Sequence, residues 1–105
     1  MEVLSFKHEV SKSAAGTTKQ AITGVVASGN LEVLVERTAS EKWCVVEIRT
    51  TVRGFNPVWE AVVDDFVGRF ATGGLLFSIN DGGARPDTVS LRLAQALRLM
   101  EKTEK

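Results

Sequence analysis

The run Trp43-Cys44-Val45-Val46-Glu47-Ile48-Arg49-Thr50-Thr51-Val52, followed by Asn56-Pro57-Val58-Trp59-Glu60-Ala61-Val62-Val63-Asp64-Asp65-Phe66-Val67-Gly68-Arg69-Phe70, changes its apolar period from two to near four. In the first part Cys44, Val46, Ile48 and Val52 fall on one side, and Glu47, Arg49 and Thr51 on the other, as in a half-buried strand. Arg53-Gly54-Phe55 breaks it. In the second part Trp59, Val62, Val63, Phe66 and Phe70 recur at helical spacing. Asn56 is expected to cap the free amides and Pro57 to open the helix, because its φ is preset and its missing N–H is not needed there. Gly73-Gly74 is expected to stop it.

The same reading extends outward in both directions. Residues 75–80 alternate through Leu75, Phe77 and Ile79 and predict a strand, and Asn80-Asp81-Gly82-Gly83 predicts a turn. Pro86-Asp87-Thr88 opens a second helix carrying Val89, Leu93, Ala96, Leu97 and Met100 on one stripe. Leu91 and Leu99 leave that stripe, so residues 88–92 can also be read as a short strand; helix is favoured. Upstream, Leu4 and Phe6 oppose Ser5 and Lys7 in a short strand, and residues 11–20 are small and polar, a flexible loop. Ala21 to Ala27 and Leu31 to Glu36 are two strand-like runs. Gly29-Asn30 between them suggests a hairpin with a type II′ turn and Ser28 at its tip. Strands, helix, strand, helix predict an α+β two-layer sandwich: a mostly antiparallel sheet with both helices on one face.

Composition narrows the function classes. The 105 residues form one domain, residues 1–105. Lys plus Arg and Asp plus Glu number 13 each, so a basic footprint for nucleic acid is absent. No apolar run approaches the roughly 20 residues needed for a membrane span. The first residues, Met1-Glu2-Val3-Leu4-Ser5-Phe6-Lys7-His8-Glu9, do not read as a secretory signal, and a soluble cytoplasmic domain is expected. One cysteine, Cys44, allows neither an internal disulfide nor a multi-cysteine metal cage.

No residues assemble an obvious catalytic constellation. His8 is the single histidine; a triad would have to recruit it with a serine such as Ser28 and a carboxylate such as Asp64 or Asp81, and an edge-strand histidine facing solvent is the simpler expectation. Asp64 and Asp65 are adjacent on a helix, so they diverge by about 100° and do not form a shared metal or acid–base site. Cys44 is expected to pack as a small hydrophobe, and Trp59 and the phenylalanines to pack in the core. The glycines at 82 and 83 lack the Gly-Lys-Ser/Thr completion of a phosphate loop. Ser28, beside Gly29, has no neighbouring base and is a poor nucleophile by itself. It is still a suitable acceptor for an enzyme that brings its own base and an activated donor.

The stretch Gly24-Val25-Val26-Ala27-Ser28-Gly29-Asn30-Leu31-Glu32-Val33-Leu34-Val35-Glu36 resembles the modification site of the malonate decarboxylase acyl carrier protein family, the delta subunit: a valine-rich strand, Ser-Gly-Asp, then Leu-Glu-Val-Leu. Met1 to Phe6, the strand ending Arg49-Thr50-Thr51-Val52-Arg53-Gly54, and Phe77 to Pro86 leading into Val89-Ser90-Leu91-Arg92-Leu93 are similar as well. The gamma chain of citrate lyase shares a Ser-Gly-Asp turn but matches less well elsewhere. The resemblance implies that Ser28 carries 2'-(5''-phosphoribosyl)-3'-dephospho-coenzyme A through a phosphodiester. It implies that the thiol of this group holds malonyl and acetyl as thioesters while malonate becomes acetate and carbon dioxide. The chemistry is then done by the acyl-transferase and decarboxylase subunits, and a prosthetic-group transferase (holo-carrier synthase) loads the serine. The carrier itself would have no activity alone. Asn30 stands where the family has Asp. A plain interaction module is the competing expectation, and a small hydrolase using Ser28 and His8 a third.

Overall fold

A computed structural model of the chain describes residues 1–25 and 29–103. Their elements are β1 (Glu2–Glu9), β2 (Gln20–Gly24), β3 (Leu31–Arg37), β4 (Trp43–Thr50), α1 (Asn56–Arg69), β5 (Leu75–Asp81) and α2 (Pro86–Met100). The five strands form one sheet in the order β1-β4-β5-β3-β2. β4 and β5 run parallel, from Cys44 opposite Leu75 to Thr50 opposite Asp81, with α1 as the crossover between them. The other neighbours are antiparallel. This is the expected α+β sandwich, with residues 88–92 in the second helix.

Alternation puts one side chain in two on each face of a strand. Leu31, Val33 and Val35 on β3, Cys44, Val46 and Ile48 on β4, and Leu75, Phe77 and Ile79 on β5 are all at most 2% exposed. The helices cover that face with Trp59, Val63 and Phe66 from α1 and Val89, Leu93, Ala96, Leu97 and Met100 from α2. Phe66 meets Phe77 edge to face, ring centres 5.4 Å apart, an arrangement that adds about 0.5–1.5 kcal/mol beyond area burial. The opposite face carries Val3, Ile22, Glu47 and Arg49 in exposed positions.

Local chemistry departs from expectation in several places. β4 ends at Thr50, because the Thr50 hydroxyl turns to Asp81 (2.8 Å) and accepts the Val52 amide (3.1 Å), so the chain leaves the sheet before Val52. The cap position of α1 is Phe55, not Asn56: the Phe55 carbonyl already accepts the Trp59 amide at 2.9 Å, which places Asn56 and Pro57 inside the first turn. α1 also ends before the glycine pair, with Phe70 extended, and Phe55 and Phe70 lie exposed rather than in the core. Gly73 instead exchanges backbone bonds with the 11–20 segment, receiving from Ala14 and donating to Lys12, both at 2.9 Å. That segment is irregular, as expected, but pinned. Thr17 and Thr18 donate to the Lys102 carbonyl, and the Arg37 guanidinium donates to the carbonyls of Ala14, Ala15, Thr18 and Met100 at 2.8–3.2 Å.

Candidate functional site

The β2–β3 pair confirms the hairpin but not its tight turn. A two-residue Gly29-Asn30 turn requires Ser28 opposite Leu31, whereas β2 and β3 pair with Gly24 opposite Glu32. Leu31 is already paired with Asp81 of β5. The Gly29 amide donates to the Gly82 carbonyl at 2.8 Å, and the Gly82 amide donates to Asn30 at 2.7 Å. Gly29 and Asn30 therefore continue the β3–β5 ladder instead of closing on β2, and the connection lengthens to residues 25–30. Val26, Ala27 and Ser28 lie outside the described residues; β2 ends at Gly24, so the expected strand to Ala27 already stops before Val25.

The described flanks still define the setting. Val25 is 62% exposed, and Gly29 is exposed with open space where a side chain would project. Gly29 takes φ +77°, a left-handed conformation that glycine adopts without penalty. The Asn30 side-chain oxygen accepts the Leu31 amide at 2.8 Å. That is an acceptor role, and an aspartate oxygen fills it equally, so Asn30 in place of Asp keeps the local geometry and removes one negative charge.

A second device fixes the same end of the sheet. Asp81 is 5% exposed at the end of β5; one carboxylate oxygen accepts the Thr50 hydroxyl at 2.8 Å and the other the Ala84 amide at 2.9 Å. This holds Gly82 and Gly83 in place, and through Gly82 the Gly29–Asn30 segment. The sequence pattern predicts only a turn here; the signal for more is the polar pair Thr50 and Asp81 at the ends of two apolar strands. A cleft of about 190 Å³ opens beside the turn, walled by Phe55, Trp59, Val62, Ala84 and Val89. Asp81, with both oxygens engaged, is its one ionisable lining residue, so the cleft holds no free acid or base.

The remaining candidates scatter. His8 faces α1 rather than solvent, with Nε2 3.2 Å from Asp64 Oδ1. It sits on the outer strand β1, opposite Cys44, at the end of β4 away from Thr50. The six residue steps from Cys44 to Thr50 span about 20 Å, so His8 is at the opposite end of the sheet from Gly29 and Gly82, and the Ser28–His8 hydrolase has no geometric basis. Asp65 turns away from Asp64 to pair with Arg69 at 3.2 Å. Among the described residues no three metal-ligating side chains cluster. Cys44 is wholly buried, and burial pushes its thiol above the usual value, partly offset by Thr72.

Sequence reasoning missed Arg92. It lies on α2 directly against Gly24, where a Cβ on residue 24 would come within 3.2 Å of its Nε. Gly24 takes φ +83° and leaves no room for a side chain between the Leu31 carbonyl and this guanidinium. Arg92 donates to Gln95 at 2.8 Å, while its Nε is inaccessible and has no partner. The signal was an arginine placed next to the apolar stripe of α2, in the segment that reads as either helix or strand.

Comparison with known proteins agrees with this architecture. The family described as acyl carrier protein, malonate decarboxylase delta subunit (MdcD), matches residues 18–100. A malonate decarboxylase acyl carrier protein of Bradyrhizobium diazoefficiens is 62% identical over 98 residues, 93% of each chain. One from Xanthomonas euvesicatoria is 48% identical over 101 residues, 96% of each chain. Among solved structures, a chain of a Pseudomonas malonate decarboxylase hetero-tetramer in complex with malonate superposes with a TM-score of 0.83 at 32% identity, covering 95% of this chain and 99% of that one. Sequence and fold together place this chain in the malonate decarboxylase delta subunit family of acyl carrier proteins.

Proposed function

We propose that the chain is the acyl carrier subunit of a cytoplasmic malonate decarboxylase, with Ser28 as the attachment point of 2'-(5''-phosphoribosyl)-3'-dephospho-coenzyme A. The observation that carries the reading is the pair of described flanks: Val25 and Gly29 are exposed, and Gly29 is anchored to Gly82. A bulky substituent on the serine between them needs open space on one side and a rigid base on the other, and the flanks supply both. The residues present fit such a group, since the space beyond Gly29 is free and the orphaned Arg92 Nε lies against Gly24, at the start of the same connection.

Bound there, the group supplies a thiol for malonyl and acetyl units. The chain's own contribution is position. A tethered acyl group meets several active sites at an effective concentration set by its arm rather than by diffusion. A rigid sheet with exposed Val25 and Gly29 flanking the serine at one end suits that role. Partners are the acyl-transferase and decarboxylase subunits, and a prosthetic-group transferase acts on Ser28.

Peptide mass spectrometry on protein from cells expressing the whole pathway tests the reading. A Ser28 peptide carrying the mass of the phosphoribosyl-dephospho-coenzyme A group is expected. Ser28→Ala should abolish decarboxylase activity of the assembled complex while changing stability by less than about 0.5 kcal/mol. An unmodified Ser28 in such cells, or full activity in Ser28→Ala, overturns the assignment and leaves a plain interaction module.

A further inference from the structure

Resting on that reading, we propose that the groove between α2 and the end of β2 is a phosphate-binding track that holds the prosthetic arm against the carrier between transfers. The groove has a volume of about 470 Å³ and is lined by Thr23, Arg92, Gln95, Arg98, Leu99 and Lys102. Three of these six are cationic. None of the ion pairs among the described residues involves Arg92, Arg98 or Lys102. No carboxylate among the described residues pairs with any of the three, so an anion in the groove meets no competing ion pair.

Arg92 adds a more specific observation. Its Nε is inaccessible to solvent and has no hydrogen-bond partner, although its terminal nitrogen is fixed by Gln95 at 2.8 Å. An inaccessible N–H is normally paired, because an unmade bond leaves the desolvation cost of that group standing. The guanidinium fork matches two oxygens of a phosphate at once. Gly24, which the Arg92 side chain touches, is four residues before Ser28, so the two are separated by at most on the order of 14 Å of extended chain. That chain length permits a phosphodiester on Ser28 to approach this side chain. Arg98 lies about 9 Å further along the helix axis. The arm carries its first phosphate at the serine and a pyrophosphate beyond the sugars, and the groove offers two cationic centres in the same sequence.

The apolar cleft near Gly83 is a weaker host, since its lining offers no cation for a pyrophosphate. The ligand chemistry is a phosphate diester or pyrophosphate, supplied either by the protein's own arm or by a free nucleotide of the same kind. Tethering favours the arm.

The test uses loaded carrier, with loading at Ser28 first established by intact and peptide mass. Hydrogen exchange of residues 92–102 is compared between apo and loaded protein, and the ³¹P spectrum between loaded native protein and loaded Arg92→Gln. Exchange should slow several-fold on loading, and Arg92→Gln should shift the phosphodiester resonance toward its position in the urea-unfolded protein. Should Arg92→Gln not fold or not load, the exposed Arg98→Gln carries the experiment and should shift the pyrophosphate resonances. Titrating dephospho-coenzyme A into apo protein distinguishes the sources. Amide shifts along α2, weakened about tenfold by Arg92→Gln, show the groove reading phosphate without a tether, and shifts confined elsewhere overturn the site. Loaded protein with unchanged exchange and unchanged ³¹P spectra refutes the track while leaving the carrier function intact. A bare Ser28 in cells holding the whole pathway removes the function and the track together.

Discussion

Replacing Arg37 by alanine should unfasten the N-terminal segment from the rest of the domain. The guanidinium at the end of β3 donates to Thr18 at 3.0 Å, Ala14 at 3.2 Å, Ala15 at 3.1 Å and Met100 at 2.8 Å. Hydrogen bonds to a charged donor contribute about 1.5–3 kcal/mol each. They do not simply add here, because the Ala15 and Thr18 carbonyls recover water when the arginine is gone. The Ala14 and Met100 carbonyls belong to buried residues, and Met100 ends α2, where the last carbonyls have no partner within the helix. Two poorly solvated acceptors left unpaired cost about 2–4 kcal/mol. For a domain of this size that corresponds to a fall in Tm of about 10–20 °C. Urea unfolding followed by circular dichroism gives the stability. Hydrogen exchange should show lost protection at the amides of Thr17 and Thr18, which bond the Lys102 carbonyl across the same joint. Arg37→Lys keeps the charge but not the fork, and should recover about half of the loss. A stability change below about 0.5 kcal/mol in Arg37→Ala, or unaltered protection at Thr17 and Thr18, refutes the clasp.

Gly24→Ala should destabilise the fold by about 2 kcal/mol or more, because φ +83° strains any side chain and the new Cβ runs into the Leu31 carbonyl; a thermal melt matching the native protein's contradicts this. Asp81→Ala removes the partner of the buried Thr50 hydroxyl and of the Ala84 amide, an expected loss of about 2–3 kcal/mol, measured by chemical denaturation and accompanied by faster exchange at the Gly29 and Gly82 amides. The raised thiol of Cys44 makes a pH statement with a definite sign: the unfolded thiol ionises near the ordinary value of 9.0 while the buried one stays protonated, so the unfolded state binds fewer protons and stability falls as pH rises past that value. Cys44→Ala should lack this component, and comparison of the two stability curves from pH 7 to 10.5 checks it. His8→Ala should leave loading of Ser28 unaffected and lower stability by at most about 1 kcal/mol, since it breaks one partly exposed pair with Asp64; loss of loading would restore His8 to the site.

The architecture was legible where one period ruled a whole segment. Cys44, Val46 and Ile48, Leu75, Phe77 and Ile79, and the stripe from Val89 to Met100 all lie on the side that alternation or helical spacing assigns them. The departures fall where a backbone group has two available partners. Asn56 has the composition of a cap, but Phe55 accepts the first helical bond, and no local pattern distinguishes a cap from a first-turn residue next to it. Gly29-Asn30 has the composition of a two-residue turn, but the edge of β5 offers Gly82 to the same backbone, a long-range competitor that local spacing does not encode. His8 reads as solvent-facing because its strand is an outer one; the helix that covers its inner face comes some fifty residues later in the chain. The family resemblance reaches Ser28, the proposed attachment residue, without the geometry. The geometry reaches Arg92, Asp81 and Gly82, which the Ser-Gly-Asp motif does not contain.

These supports explain why a carrier of this kind is built on a sheet. The serine connection begins at Gly24, pressed between the Leu31 carbonyl and the Arg92 side chain, and ends at Gly29 and Asn30, bonded to Gly82. Gly82 is in turn held by Asp81, whose carboxylate bridges β4 through Thr50 and the turn leading into α2 through Ala84. The two flanks of the serine connection are thus fixed by separate elements of the core, one by α2 and one by the parallel β4–β5 pair. A partner enzyme that engages the connection meets fixed anchors on either side, and little ordering of the scaffold is needed at each encounter. On the proposed function, successive visits to a transferase and a decarboxylase then differ only in where the arm goes. Loosening either anchor should therefore slow transfer to both partners alike, whereas a change on a docking surface should slow one and spare the other. Asp81→Ala, loaded and assayed separately against each partner subunit, makes that distinction: unequal losses would mean that Asp81 acts through a docking surface and not through the support of the loop.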